Sequence, residues 1–358
     1  MLYYILNKLF YALLTLFGVV TVIFFLFNVL PGDPAQMMLG QNEDSEQLAI
    51  IKHKYGFDKP LNVQFGYYLN DLSPISFHSS SPEDYTFLRD GKYNALPLFQ
   101  LGHTRVVLKT PYLRESFTKQ GKKVSSVLAE TLPNTFILAV TAIIIAILIG
   151  VILGIVSALY KDTFIDKSIQ FLSTIGMSVP SFFSAILFAW FFGYLLHNYT
   201  HLEMTGSLYE LDDFGEAMHI KWKNLILPAI VLGIRPLAVV IQLMRNSLLE
   251  VFNQDYIRTA RAKGLTEFQI IKKHAIKNAL NPVVTAISGW FASMLAGAVF
   301  VEYVFGWNGL GKEIVNALNT LDLPVIMGSV LVIALLFIII NIFVDIVYAW
   351  LDPKVKLQ

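Results

Sequence analysis

The chain has 358 residues, of which 55% are hydrophobic and only 15% charged, against the roughly 25% charged residues of an ordinary soluble domain, so it is read as a bilayer protein. Its net charge of +1 offers no basic stripe for nucleic acid, and the absence of cysteine excludes disulfides, thiolate nucleophiles and Cys-ligated metals.

A helix needs about 20 apolar residues to cross roughly 30 Å of hydrocarbon. Leu9 to Leu30 is the first such segment. It exceeds the length of a signal-peptide core and runs into Pro31-Gly-Asp-Pro34, with no small-residue cleavage site, so it is expected to remain as a membrane helix. From Pro31 to Ala129 there follow eleven basic and ten acidic residues, with Pro and Ser clustered between Leu72 and Pro82. Its apolar and aromatic content argues against disorder. A small extramembrane elaboration is expected there, helical near Glu46 to Tyr55.

Further spans are predicted over Leu132 to Leu159, Ile169 to Leu196, Asn278 to Val301 and Leu323 to Val344. Leu225 to Met244 is counted as a sixth, although Arg235 and Pro236 interrupt it. Gly150 and Gly154, four residues apart, form a small-residue face suited to close helix packing. Arg235 in mid-span is costly and marks either a pathway or a buried pairing, and Pro236 beside it implies a kink and a freed carbonyl. Glu302 and Asp345 fall at helix ends, where water can reach them, and are read as structural.

Orientation follows from the short loops, because Lys and Arg are retained on the cytoplasmic side. Arg245 to Lys277 holds seven Lys/Arg against three acids, which places it inside. His197 to Lys223 has five acids against two lysines and Glu302 to Asp322 three against one, which places both outside. Six helices then put both termini in the cytoplasm, in agreement with Lys8, Lys354 and Lys356.

Within the basic loop, Ala260 and Gly264 lie four residues apart. A helix through Ala260 that ends at Gly264 would show a flat surface for a docking protein, with Arg258, Arg261 and Lys263 beside it to steer and orient. From the residues alone the same loop reads more simply as an ordinary positive-inside connection with a helix-ending glycine. Gly306 to Lys312 matches the opening of a phosphate-binding loop, but Glu313 stands where Ser or Thr should hold magnesium, and the setting is not a strand-to-helix turn. The glycines are read as shaping a tight re-entrant turn. His197 and His201 are spaced as metal ligands on a helix, but imidazoles at a helix mouth are usually interfacial, and no metal is assigned.

The run from Tyr256 to Leu265 (YIRTARAKGL) resembles the cytoplasmic coupling loop of ABC importer permeases of the dipeptide, oligopeptide and nickel family. Leu30 to Pro34, Gly56 to Phe65, Val124 to Phe136 and Glu302 to Gly311 resemble further stretches of that family. The likeness covers nearly the whole chain except roughly Ser73 to Pro111, which looks like an insertion. Two positions depart from the wider pattern. Arg258-Thr259-Ala260 replaces Glu-Ala-Ala, as in the peptide branch, and Asn308 replaces a proline in the external turn.

The resemblance implies an all-α integral membrane protein with six transmembrane helices in the type I importer arrangement and a large external segment between the first two. It implies four regions: 1–30, an external segment 31–129, a permease core 130–350 with the coupling loop 245–277, and a tail 351–358. Coupling falls to Tyr256, Arg258, Ala260, Arg261, Lys263 and Gly264, with Arg235 as a possible pathway residue. No catalytic residue and no cofactor are expected on this chain, and ATP would sit on partner subunits. The implied partners are a second homologous permease, two ATP-binding cassette ATPases, an external substrate-binding protein and the lipid bilayer, in a bacterial inner membrane. Two other readings stand beside this one. A self-sufficient secondary transporter would show intramembrane acids and inverted repeats, and a membrane-embedded hydrolase a convergent nucleophile and base, and none of these stands out.

Overall fold

A computed structural model of the chain describes residues 2–29, 35–36, 45–88, 92–119, 121–212 and 217–351. The motif at Leu30 to Pro34, the Asp345 side chain, and Lys354 and Lys356 lie outside what is described. The chain divides into two compact units: residues 1–8, 131–315 and 335–358 form one, and residues 9–130 and 316–334 the other.

The first unit is almost wholly helical. Its elements are α4 (Val124–Leu159, from residue 131 onward), α5 (Phe164–Ser178), α6 (Ser181–Phe188, prolonged by a π-helical turn Ala189–Leu195), α7 (Lys223–Phe252), α8 (Asp255–Ala262), α9 (Ile276–Gly297), α10 (Val299–Phe305) and α11 (Leu310–Asn319, to residue 315). A short hairpin of β4 (Tyr209–Leu211) and β5 (Met218–Ile220) precedes α7. The core gathers Leu138, Ala142, Ala185, Leu227, Val231, Val301, Phe305 and Trp307.

Among the described residues, four helices are long and apolar enough to cross a bilayer: α1 (Leu2–Val29), α4, α7 and α12 (Leu323–Leu351). Two bent pairs raise the number of spans to as many as six. The segment expected as one span over Ile169 to Leu196 is one of these pairs, with α5 and α6 meeting at 108°. Pro180 causes the break, since the ring of a proline pushes the preceding residue out of the helical region, and Val179 accordingly has ψ 130°. In the other pair, α9 and α10 meet at 56°.

The segment counted as a span despite Arg235 and Pro236 is present as α7, one of the helices long and apolar enough to cross. The helical assignment of α7 runs unbroken across both, for 30 residues. Pro236 is buried within it. The glycine face of α4 packs as expected: a Cβ on Gly150 would fall 2.7 Å from Val240, and one on Gly154 2.7 Å from Met244. Only glycine lets α4 and α7 approach this closely.

The second unit combines membrane helix segments with an extramembrane module. Phe24 of α1 packs on Tyr68 of α3 (Leu61–Leu72) and on Met327 and Leu331 of α12. The helix expected near Glu46 to Tyr55 is present as α2 (Ser45–Tyr55). Beyond α3 the chain forms a three-stranded antiparallel sheet in the order β1 (Ile75–Ser79), β3 (Thr104–Lys109), β2 (Ala95–Leu101), a strand content the sequence did not disclose. Its organising group is Asp71 at the end of α3, 1% exposed, which accepts from Tyr85 Oη (2.7 Å), Tyr93 Oη (3.2 Å) and Arg114 Nε (3.0 Å). Burial pushes the Tyr85 and Tyr93 phenols well above their usual range, so both stay protonated as donors. The Lys109 ammonium donates to the Asp71 carbonyl. Further along, Asp322 accepts from the Ser116 and Thr118 hydroxyls and the Phe117 and Thr118 amides, which ties the loop before α4 to the start of α12.

Candidate functional site

The basic loop folds into α8 and a sharp stop. Gly264 has φ +79° in the left-handed region, its N–H donates to Arg261 O (2.9 Å) and the Leu265 N–H reaches back to Ala260 O (3.3 Å). These two bonds make a Schellman cap, which favours glycine at this position. A Cβ there would meet nothing within 4 Å, so the requirement for glycine is conformational. Thr266 then opens the next helical stretch with a capping box closed by Gln269.

The two faces of α8 differ. Ile257 and Ala260 are buried in a cluster with Leu248, Val251, Ile270 and Ala279, so Ala260 anchors the helix and is not part of an exposed flat surface. A residue three before Ala260 shares its face, and Ile257 makes that face apolar. Tyr256, Arg258, Thr259, Arg261, Lys263 and Gly264 are exposed. Arg258 contacts Asp255 at 3.5 Å and Arg261 contacts Glu267 at 2.9 Å, both in solvent, where such pairs hold a side chain only loosely. Tyr256 Oη accepts from Asn278 Nδ2 at 2.8 Å. The loop thus offers a tyrosine, three cations and a backbone turn on a helix keyed into the core through its other side.

Arg235 is exposed on α7 and makes no hydrogen bond or ion pair among the described residues. It borders a cavity of about 80 Å³ together with Ser181 and Ser184 of α6 and Trp290 and Ser293 of α9.

The glycine-rich turn after α10 encloses a carboxylate of its own. Glu302, expected to be solvated at a helix end, is instead 0% exposed. It accepts from Thr135 Oγ1 (2.6 Å), Gly311 N (2.6 Å) and Lys312 N (3.1 Å). The first amides of α11 are where an anion would bind, and Glu302 already fills the position. Gly309 and Gly311 are glycine because a Cβ on either would fall 2.5 Å from Glu302 or from the α10 backbone. Gly306, at φ +69°, ends α10. Trp307 Nε1 donates to Asn134 O and Asn134 Nδ2 to Asn308 O, which locks the turn against α4.

One ion pair went unread in the sequence. Asp166 of α5 takes Arg245 of α7 in a bidentate grip (2.8 and 2.6 Å) and also accepts from Ser157 of α4 (2.5 Å). A charged residue just after the α4–α5 turn was its only sequence signal.

His197 Nδ1 lies 2.8 Å from Leu202 O, and His201 caps the helix end at φ 53°. The two histidines therefore do not share a continuing helix, and among the described residues no group of three metal-ligating side chains forms.

Residues 146–357 match the profile of the binding-protein-dependent transport system inner membrane component family, and residues 1–79 match its N-terminal companion. The dipeptide transport system permease protein DppB of Alkalihalophilus pseudofirmus is 34% identical over 99% of this chain and 100% of its own length. DppB of Lactococcus lactis subsp. cremoris is 31% identical over 99% of both chains. A chain of the MetNI methionine ABC transporter, solved in an inward-facing conformation, shares the fold at TM-score 0.51 and 16% identity, covering 63% of this chain and 97% of that one.

Proposed function

The chain belongs to the family of binding-protein-dependent transport system inner membrane components, and on that premise we propose that it carries peptides inward as half of a channel driven by separate ATPase subunits. It is a multi-pass permease subunit of an ABC importer in the inner membrane, a class that works with ATPase and substrate-binding partners. Peptides are the cargo because the full-length relatives are named for dipeptide transport.

In this reading a second, homologous permease completes the pathway, two ATPases sit on the cytoplasmic side with both termini, and a binding protein delivers substrate from outside. ATP stays on the ATPases. The occupation of the Gly306 to Lys312 turn by Glu302 favours this, because that anion position is already filled.

The observation that carries the coupling role is the asymmetry of α8, whose apolar face is keyed into the helix core while Tyr256, Arg258, Arg261 and Lys263 project outward. Closure of the ATPase pair would draw two such helices together and shift the permease between two packings. Charge reversal at Arg258 and Lys263 tests it. The doubly reversed chain should insert normally but lose ATPase co-purification and uptake together. Retention of both would count against α8 as the docking element.

A further inference from the structure

The break between α5 and α6 and the cavity beside it hold more than a bend. Helix α6 starts at Ser181, so its first amides have no acceptor one turn earlier, and they carry the positive end of the helix dipole. Ser184 is 8% exposed and lines the cavity, yet its hydroxyl makes no hydrogen bond among the described residues. The hydroxyls of Ser181 and Ser293, on the same cavity, are likewise unbonded among the described residues. Arg235 lines the cavity from α7, 12 residues after Lys223 and 17 before Phe252, far from either end of the span. Among the described residues, no acidic one lines the space.

The residues lining the cavity therefore bring a guanidinium, three hydroxyls and a helix start, with no acidic residue among the described lining to neutralise them. A mid-span arginine facing lipid is costly, so a partner is expected. Planar, two-pronged donation selects a carboxylate. At about 80 Å³ the space takes the end of a chain and not a whole peptide.

We propose that Arg235, Ser184 and the start of α6 form a receptor for the C-terminal carboxylate of the peptide in transit. This rests on the peptide reading given above. The receptor holds one end of the cargo and leaves its side chains unread, which suits a carrier of varied sequences.

The test uses the whole transporter in proteoliposomes, with its binding protein saturated by either a trialanine peptide or the C-terminal amide of the same peptide. Uptake of the free acid should fall about 10- to 100-fold in Arg235→Gln, the loss expected for a hydrogen bond to a charged group. The amide should change less than about twofold, Arg235→Lys should recover part of the acid rate, and Ser184→Ala should lower it a few-fold. An equal loss for acid and amide overturns the receptor, as does dissociation of the complex in Arg235→Gln, which would mean that Arg235 pairs with an acid of a neighbouring subunit. If the wild type moves neither peptide, the peptide reading fails. The receptor is then decided separately by dicarbonyl labelling of Arg235 in the same complex, read by mass spectrometry. Acetate should slow the labelling and acetamide should not, and equal rates overturn the receptor.

Discussion

The buried carboxylate of Glu302 makes a quantitative prediction that separates its two glycine neighbours. Glu302→Ala orphans two amides and one hydroxyl in a dry site, each worth about 1–3 kcal/mol, for a total loss of roughly 3–9 kcal/mol. Gly309→Ala should cost about 1–3 kcal/mol, because every close contact of its new Cβ is a carboxyl atom of Glu302 at 2.5 Å. In the Glu302→Ala background that obstacle is gone, so the added cost of Gly309→Ala should fall below about 0.5 kcal/mol, a strong departure from additivity. Gly311→Ala behaves differently. Its Cβ meets Val299 Cα at 2.5 Å, which is backbone, and loss of the glutamate does not relieve it. Reversible SDS unfolding, followed by the fluorescence of buried Trp307, gives all five free energies. Equal cost of Gly309→Ala in both backgrounds would refute the view that the glycines exist to seat the carboxylate.

Other expectations are simpler. Gly264→Val should insert and fold, since nothing crowds the position, but strain of about 1–2 kcal/mol at φ +79° should reshape the end of α8 and reduce peptide-stimulated ATP hydrolysis. Asp71→Ala removes a buried carboxylate that Arg114, Tyr85 and Tyr93 all hold and should destabilise the extramembrane module by about 3–5 kcal/mol, seen as protease cleavage between β1 and β3 with the membrane helices intact. Glu210 is held below its ordinary 4.5 by Lys221 and by donors from Ser207 and Asn224. Its depressed value means that the stabilisation is full above pH 4.5 and is lost as pH falls through the folded value, so amide exchange in the β4–β5 hairpin should accelerate on acidification, and much less in Glu210→Gln.

Hydropathy made most of the membrane helices legible, because about 20 apolar residues in series admit few other structures. The same averaging hid the break at Val179–Pro180, where one proline outweighs an apolar window that runs on past it. Arg235 and Pro236 did not hide their span, because the apolar stretches on both sides carry it and the helix continues across them. The small-residue face of Gly150 and Gly154 was readable because a spacing of four is a local signal. Glu302 was not readable, since its donors include Thr135, 167 positions away, and helix ends are usually wet. The Asp166–Arg245 pair, 79 positions apart, escaped for the same reason. Ala260 was singled out correctly as a small residue, but only Ile257 beside it, on the same helical face, tells that it points inward. The sheet around Asp71 left no alternating pattern, because Val106 and Val107 are both buried and nearly all of β2 is exposed.

The closeness of α4 and α7 has a mechanical consequence. Two glycine contacts and the Ser157–Asp166–Arg245 grip bind α4, α5 and α7 together, with Gly150 and Gly154 seated directly against Val240 and Met244 of α7. Only Asn253 and Gln254 separate α7 from α8. A displacement of α8 would therefore pass to α7 through a two-residue link and on to α4 and α5 through these contacts.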